Sequence, residues 1–205
     1  AIANSIIGLS YYLKENSGDE ETGKLLRKLT KKITVQFKQN ATKDWDWFED
    51  NMSYDNAILP LALYHSHELT GDEETLEVAD RSTAFLEKIT FREDYLSPVG
   101  NNGWFKKGGK LPLYDQQSID VMAMVLLYFQ AFQVKKDPKL IQKLFTSYMW
   151  FQGENQLRIP LYDFETKGCC DGLEETGVNR NQGAESTLAY WISHLTVLAA
   201  HEREY

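Results

Sequence analysis

Residues 57–89 read AILPLALYHSHELTGDEETLEVADRSTAFLEKI, and the change of pattern at their middle decides the fold. Ala57–Leu69 is apolar nearly all round, which suits a helix buried on most sides. Val78, Phe85 and Ile89 instead form a one-sided stripe, the mark of a surface helix. Between them, Thr70-Gly71-Asp72-Glu73 is a short turn with an Asp placed to cap the next helix. The segment is therefore predicted to be a hairpin of one inner and one outer helix.

The same change of pattern recurs along the chain. Ile2–Leu13, Ile119–Val134 and Ala184–Ala200 are also apolar nearly all round, whereas Leu25, Leu26, Leu29, Ile33 and Phe37 make a single stripe within Thr22–Lys38. Leu140, Ile141, Leu144, Phe145, Tyr148 and Met149 make another. Short turns, Ser17-Gly18-Asp19-Glu20 and Lys135-Lys136-Asp137-Pro138, again join inner to outer helices. The returns are long: Asn40–Asp55, Phe91–Gln116 and Glu154–Gly183. Inner and outer helices with a period of roughly 60 residues read as an all-α protein, an α/α toroid of helical hairpins. Three and a half hairpins are fewer than a closed ring usually needs, so either the ring is an open arc or the chain is part of a longer one; residues 1–205 are expected to form a single toroid domain of a longer chain. If successive helices are antiparallel, the three long loops emerge at one end, and loops longer than about 12 residues in a compact domain are usually functional.

With 205 residues the chain can bury a core without staples, and its net charge of −8 offers no basic stripe for phosphates. Nucleic acid and anionic membranes are excluded as partners on that ground. No stretch approaches the roughly 18 apolar residues of a membrane span, and no basic segment precedes the first apolar run. A cytoplasmic location is the expectation. The chain opens in helical pattern without a start Met, so an upstream segment is expected to be missing. Cys169 and Cys170 are neighbours, which excludes a disulfide scaffold and reads as two small loop residues. No metal site is expected, because the cysteines lack a ligand partner at suitable spacing. No cofactor motif is present either. His65, His67, His194 and His201 all fall in helices, so any catalysis is expected to rest on carboxylates.

The long loops hold the unusual chemistry. The first carries Asp44-Trp45-Asp46-Trp47-Phe48-Glu49-Asp50 and Tyr54-Asp55-Asn56. The second carries Ser97-Pro98-Val99-Gly100-Asn101-Asn102-Gly103-Trp104 and Tyr114-Asp115-Gln116-Gln117. The third carries Gly168-Cys169-Cys170-Asp171-Gly172-Leu173-Glu174 and Asn179-Arg180-Asn181-Gln182-Gly183-Ala184-Glu185. Aromatic faces stack on sugar rings, while carboxylates and amides bind hydroxyls or move protons. Two plainer readings stand beside this one. Trp45 and Trp47 could plug an end of the helical ring, and Asp55, Asp115 and Asn181 could serve as helix N-caps.

These loop strings, taken in order, resemble an α/α-toroid domain of bacterial carbohydrate-active proteins, related to six-hairpin glycosidases. They are similar to the helical region that follows the catalytic domain in some bacterial glycosyltransferases. The resemblance implies a carbohydrate ligand and a glycosyltransferase partner. The function expected is glycan processing by a carboxylate acid and base, with a non-catalytic glycan-binding or accessory domain as the alternative. Asp55, Asp115 and Glu185 are the candidate catalytic residues, with Asp46, Glu49 and Asp171 as alternatives. Trp47, Asn56, Asn101, Trp104, Gln116, Gln117, Asn181 and Gln182 are the candidate binding residues.

Overall fold

The computed structural model describes residues 1–204, which hold seven α-helices and five short strands. The helices are α1 (Ile2–Glu15), α2 (Glu20–Asn40), α3 (Ile58–Thr70), α4 (Glu73–Thr90), α5 (Ser118–Lys135), α6 (Pro138–Met149) and α7 (Ala184–Glu204). Their order and the short turns between hairpin partners match the sequence pattern. Asp19 accepts from the Thr22 N–H, Asp72 from the Thr75 N–H and Asp137 from the Lys139 N–H, so each short turn caps the helix it feeds.

Contacts divide the chain into two compact units, the first made of Ala1–Asp50 and Ala57–Glu87, the second of Asn51–Asn56 and everything from Lys88 onward. In the first unit α3 is the core helix, buried from Pro60 through Ser66, as its unbroken apolar run requires. It contacts α1 and α2. In the second unit α5 has the same role, burying residues on all sides from Ser118 to Ala131 between α6 and α7. A Trp150–Gln152 turn after α6 adds the fully buried Trp150 and Phe151.

Two of the four helices expected to be buried on most sides are not. α1 buries one face, Ala3, Ile6, Ser10 and Leu13, and leaves Ile2, Tyr11 and Tyr12 exposed. α7 leaves Leu188, Trp191, Ile192, Leu195 and Leu198 exposed. An apolar surface is covered only as far as neighbouring elements reach it, and α7 meets α5 and α6 on one side.

The long loops form the strands. β1 (Asn51–Met52), from the first loop, pairs antiparallel with β2 (Phe105–Lys106) of the second, Met52 opposite Phe105. β3 (Gln116–Gln117) ends the second loop and pairs with β4 (Gly172–Glu174) of the third, which pairs in turn with β5 (Gly177–Asn179). Segments of all three loops therefore meet within the second unit. Within the second loop, Gly100 lets the backbone fold closely on itself: a Cβ there would lie 1.9 Å from the Tyr114 carbonyl oxygen.

Candidate functional site

The first half of the first loop is a structural plug of the first unit. Trp47 is only 1% exposed, with Phe48 and Phe85 against its ring. Trp45 is buried as well, donating from its indole N–H to the Glu49 carbonyl at 2.7 Å. Trp47 thus corrects the sequence expectation: its indole fills the core and has no free face for a ligand. Asp46 is held by the Arg81 guanidinium at 2.6 Å, and that guanidinium also lies over the Phe37 ring. Glu49 is exposed and accepts from the Gln36 side chain at 3.3 Å.

The second unit holds a different arrangement around Asp55. This residue stands just before α3 in a left-handed conformation, φ 52°, which costs most side chains energy and which Asp and Asn tolerate best. Its backbone N–H donates to Oδ1 of Asp120 at 2.7 Å. Asp120 is 4% exposed on the first turn of α5 and also receives the Asn56 N–H and the Asn101 side chain. Asn101 is itself fixed, its N–H and Nδ2 both donating to the Asp115 carbonyl, at 3.1 and 3.3 Å. Asp115 repeats the left-handed conformation, φ 60°.

Electrostatics set these carboxyls apart from ordinary surface acids. Burial, reinforced by the nearby charge of Glu185, pushes Asp55 up to about 6. Burial pushes Asp120 up to about 8, against the hydrogen bonds it receives and with the Asp55 charge adding to the rise. Oδ1 of Asp55 and Oδ2 of Asp120 are both buried with no hydrogen-bond partner among the described residues. A carboxyl that exchanges its proton near neutral pH suits general acid or base work.

The N-cap reading does not hold for Asp55 and Asp115. Ala57 and Gln117 occupy the cap positions of α3 and α5, with no side-chain cap bond. At α7 the capping carboxylate is Asp171, whose Oδ1 accepts from the Gly183 N–H at 2.9 Å and the Ser186 hydroxyl at 2.7 Å. Asn181 donates to its other oxygen. Desolvation opposes ionisation of Asp171, yet the bonds from Asn181, Ser186 and Gly183 together hold it below the ordinary carboxylate value. A carboxylate satisfied in this way is a poor proton donor.

The remaining candidates divide between structure and surface. Gln116 is fully buried; its Nε2 donates to the Leu113 carbonyl at 2.7 Å, while its Oε1 accepts from the Trp150 indole at 2.8 Å. It holds the second loop onto the core and offers nothing to a ligand. Asn56 is buried, bonding through Nδ2 to the Ser53 carbonyl. Gln182 is exposed, between Thr166 and Asp163. Gln117 is also exposed and lines a groove of ≈ 290 Å³ with Asp115, Asp171, Glu174 and Asn179. Trp104 is 50% exposed in a left-handed conformation, φ 54°, directly before β2. Because β2 pairs with β1, this indole is carried on the strand pair that leads to Asp55.

Asp120 is the residue that sequence reasoning passed over. Its signal was present, since it is the lone charged side chain between Ile119 and Val134 in a mostly apolar helix. The cysteines are both free and buried, and burial pushes the Cys169 thiol up to about 12. Among the described residues, no group of three or more His, Cys, Asp or Glu side chains is placed to hold a metal ion. No described helix is long and apolar enough to cross a membrane.

No protein-family model and no curated protein sequence matches the chain. Solved structures do. The GH76A alpha-1,6-mannanase of Salegentibacter sp. HEL1_6 superposes with a TM-score of 0.67 at 14% identity, over 97% of this chain and 54% of that one. An inactive variant of that enzyme, two consecutive aspartates replaced by asparagine, in complex with alpha-1,6-mannotriose, gives 0.66 at 16% identity, over 97% and 54%. A sugar epimerase from a ruminal bacterium gives 0.66 at 16% identity, over 98% and 55%. The fold is accordingly the α/α toroid, and the chain spans about half the length of the structures it matches.

Proposed function

We propose that this chain is a carbohydrate-active domain that binds a glycan over the loop segments of its second unit and processes it with carboxylates. Asp55 is the working acid or base, and Glu185 is its partner. The observation that carries the reading is the state of Asp55, a strained, half-buried carboxyl lifted toward neutrality beside a second carboxylate. Trp104, half-exposed on the adjoining strand pair, supplies the stacking face, and Asn101, whose Nδ2 is already engaged, offers its side-chain oxygen as an acceptor. Asp115 is the third candidate, set in a groove whose other acids suit the hydroxyls of a neutral sugar.

Fold alone does not choose a reaction, since the matched structures include both a hydrolase and an epimerase. Hydrolysis is favoured here by the carboxylate pair, which is what protonating a leaving oxygen and activating water requires. The mannanase variant loses activity through two consecutive aspartates. These 205 residues contain no such doublet, so the pair proposed here comes from separate segments, Asp55 from the first loop and Glu185 from the first turn of α7. A glycosyltransferase carried by the same chain or encoded nearby is the partner we propose. A cytoplasmic location fits the two free thiols.

Binding is tested by adding α-1,6-mannotriose and a panel of other oligosaccharides to isotope-labelled protein. Shifts at the Trp104 indole and the Asn101 side chain are expected for at least one sugar. Shifts confined to the first unit, or none with any sugar, would overturn the reading.

A further inference from the structure

We propose that Asp55 and Asp120 hold one proton between them, bridging Asp55 Oδ1 and Asp120 Oδ2, and that Asp120 is the positioning residue that presents Asp55 as a carboxylate at neutral pH. The role of Asp120 in catalysis rests on the reading of Asp55 given above, whereas the shared proton does not.

The geometry asks for a hydrogen at this point. Asp120 is tied to the Asp55 backbone through Oδ1, so the two carboxyl-bearing residues are in direct contact. Each then has one buried oxygen with no partner among the described residues. A buried acceptor without a donor is costly, and two facing negative charges out of water cost more. A single proton removes both costs, because the protonated oxygen becomes the donor the other lacks.

The surroundings fix which side keeps the proton. Asp120 is the deeper of the two, and its facing groups are the Asp55 carboxyl, the Asn56 N–H and the Asn101 side chain. Asp55 is partly open to solvent and faces Glu185. The desolvated group resists ionisation more strongly, which agrees with the higher value for Asp120, about 8 against about 6. At neutral pH the proton therefore stays on Asp120 and donates toward an ionised Asp55. The left-handed backbone of Asp55 is held in the same contact, through the N–H bond to Oδ1.

The test is a titration of the unliganded chain, followed through the ¹³C signals of its carboxyl carbons. The pair should release its protons in two separated steps near pH 6 and pH 8, each step visible at both carbons. Asp120→Asn places an amide donor where the proton was, so the upper step should vanish while Asp55 still titrates near 6. A carboxyl raised in the folded state withdraws stability as pH climbs from its unfolded value toward its folded one. The melting temperature of Asp120→Asn relative to the parent should thus rise steadily from pH 4 to pH 8. Independent titration of Asp55 and Asp120 near pH 4 would overturn the proposal, and so would a melting-temperature difference that is the same at every pH. Should the variant not fold, the titration of the parent chain decides alone. No sugar is involved, so failure of this test is distinct from failure to bind a glycan.

Discussion

The Asp55 N–H and Oδ1 of Asp120 are joined by a 2.7 Å hydrogen bond across 65 residues of sequence. That bond ties the end of the first long loop to the start of α5, and Asp55 makes it in its left-handed conformation. Asp and Asn reach this conformation at little cost, whereas a β-branched side chain does not. Asp55→Asn should be at least as stable as the parent at pH 7, because it also removes a carboxyl raised in the folded state, while Asp55→Val should be about 1–3 kcal/mol less stable than Asp55→Asn. Urea denaturation at pH 7 measures both.

Trp47 and Trp104 should part company on substitution. Trp47 is a core residue, so Trp47→Ala should cost about 3–5 kcal/mol of stability. Trp104 is half-exposed, and Trp104→Ala should shift the melting temperature little while weakening sugar binding by the roughly 1 kcal/mol or more that an aromatic face contributes. Equal stability losses in both variants would show that Trp104 is a packing residue.

How much of this was legible beforehand varies by residue. The helical hairpins were readable because burial imposes a period, and the short-turn caps because Asp before a helix has one dominant use. Trp47 and Trp104 were not separable, since both sit in loops that mix aromatic and polar residues and only the fold shows which ring is covered. Asp55 and Asp115 carried two readings, cap or site; the first fell because Ala57 and Gln117 take the cap positions, which depends on where each helix begins. Asp120 was visible as a charge in an apolar helix, but its meaning depended on a contact 65 residues away. α1 and α7 read as buried because their sequences are apolar, and sequence does not say how many neighbours an element meets.

Histidine linkage gives a prediction in the first unit. Burial, followed by the nearby Lys14 charge, lowers His65 to about 4 from an ordinary 6.5. The folded state then resists the proton that the unfolded chain accepts, so this residue's share of stability is intact above pH 6.5 and is lost as pH falls toward 4. Raised carboxyls work in the opposite direction over part of that range. The comparison must therefore be between the parent and His65→Gln. Their stability difference should shrink as pH is lowered from 7 to 4, and a constant difference would mean that His65 takes up its proton as readily in the folded chain as in the unfolded one.

The central claim is that Asp55 processes a glycan, and the most direct measurement is the release of reducing ends from an oligosaccharide panel that includes α-1,6-mannotetraose. The parent chain is compared with Asp55→Asn and Glu185→Gln at pH 6–7. Removing a positioned acid or base typically costs a factor of about 10²–10⁴. Turnover of at least one oligosaccharide, reduced by that factor in Asp55→Asn with the sugar still bound, is the predicted result. Turnover unchanged by Asp55→Asn, or a bound sugar that the parent chain leaves intact, would contradict the claim.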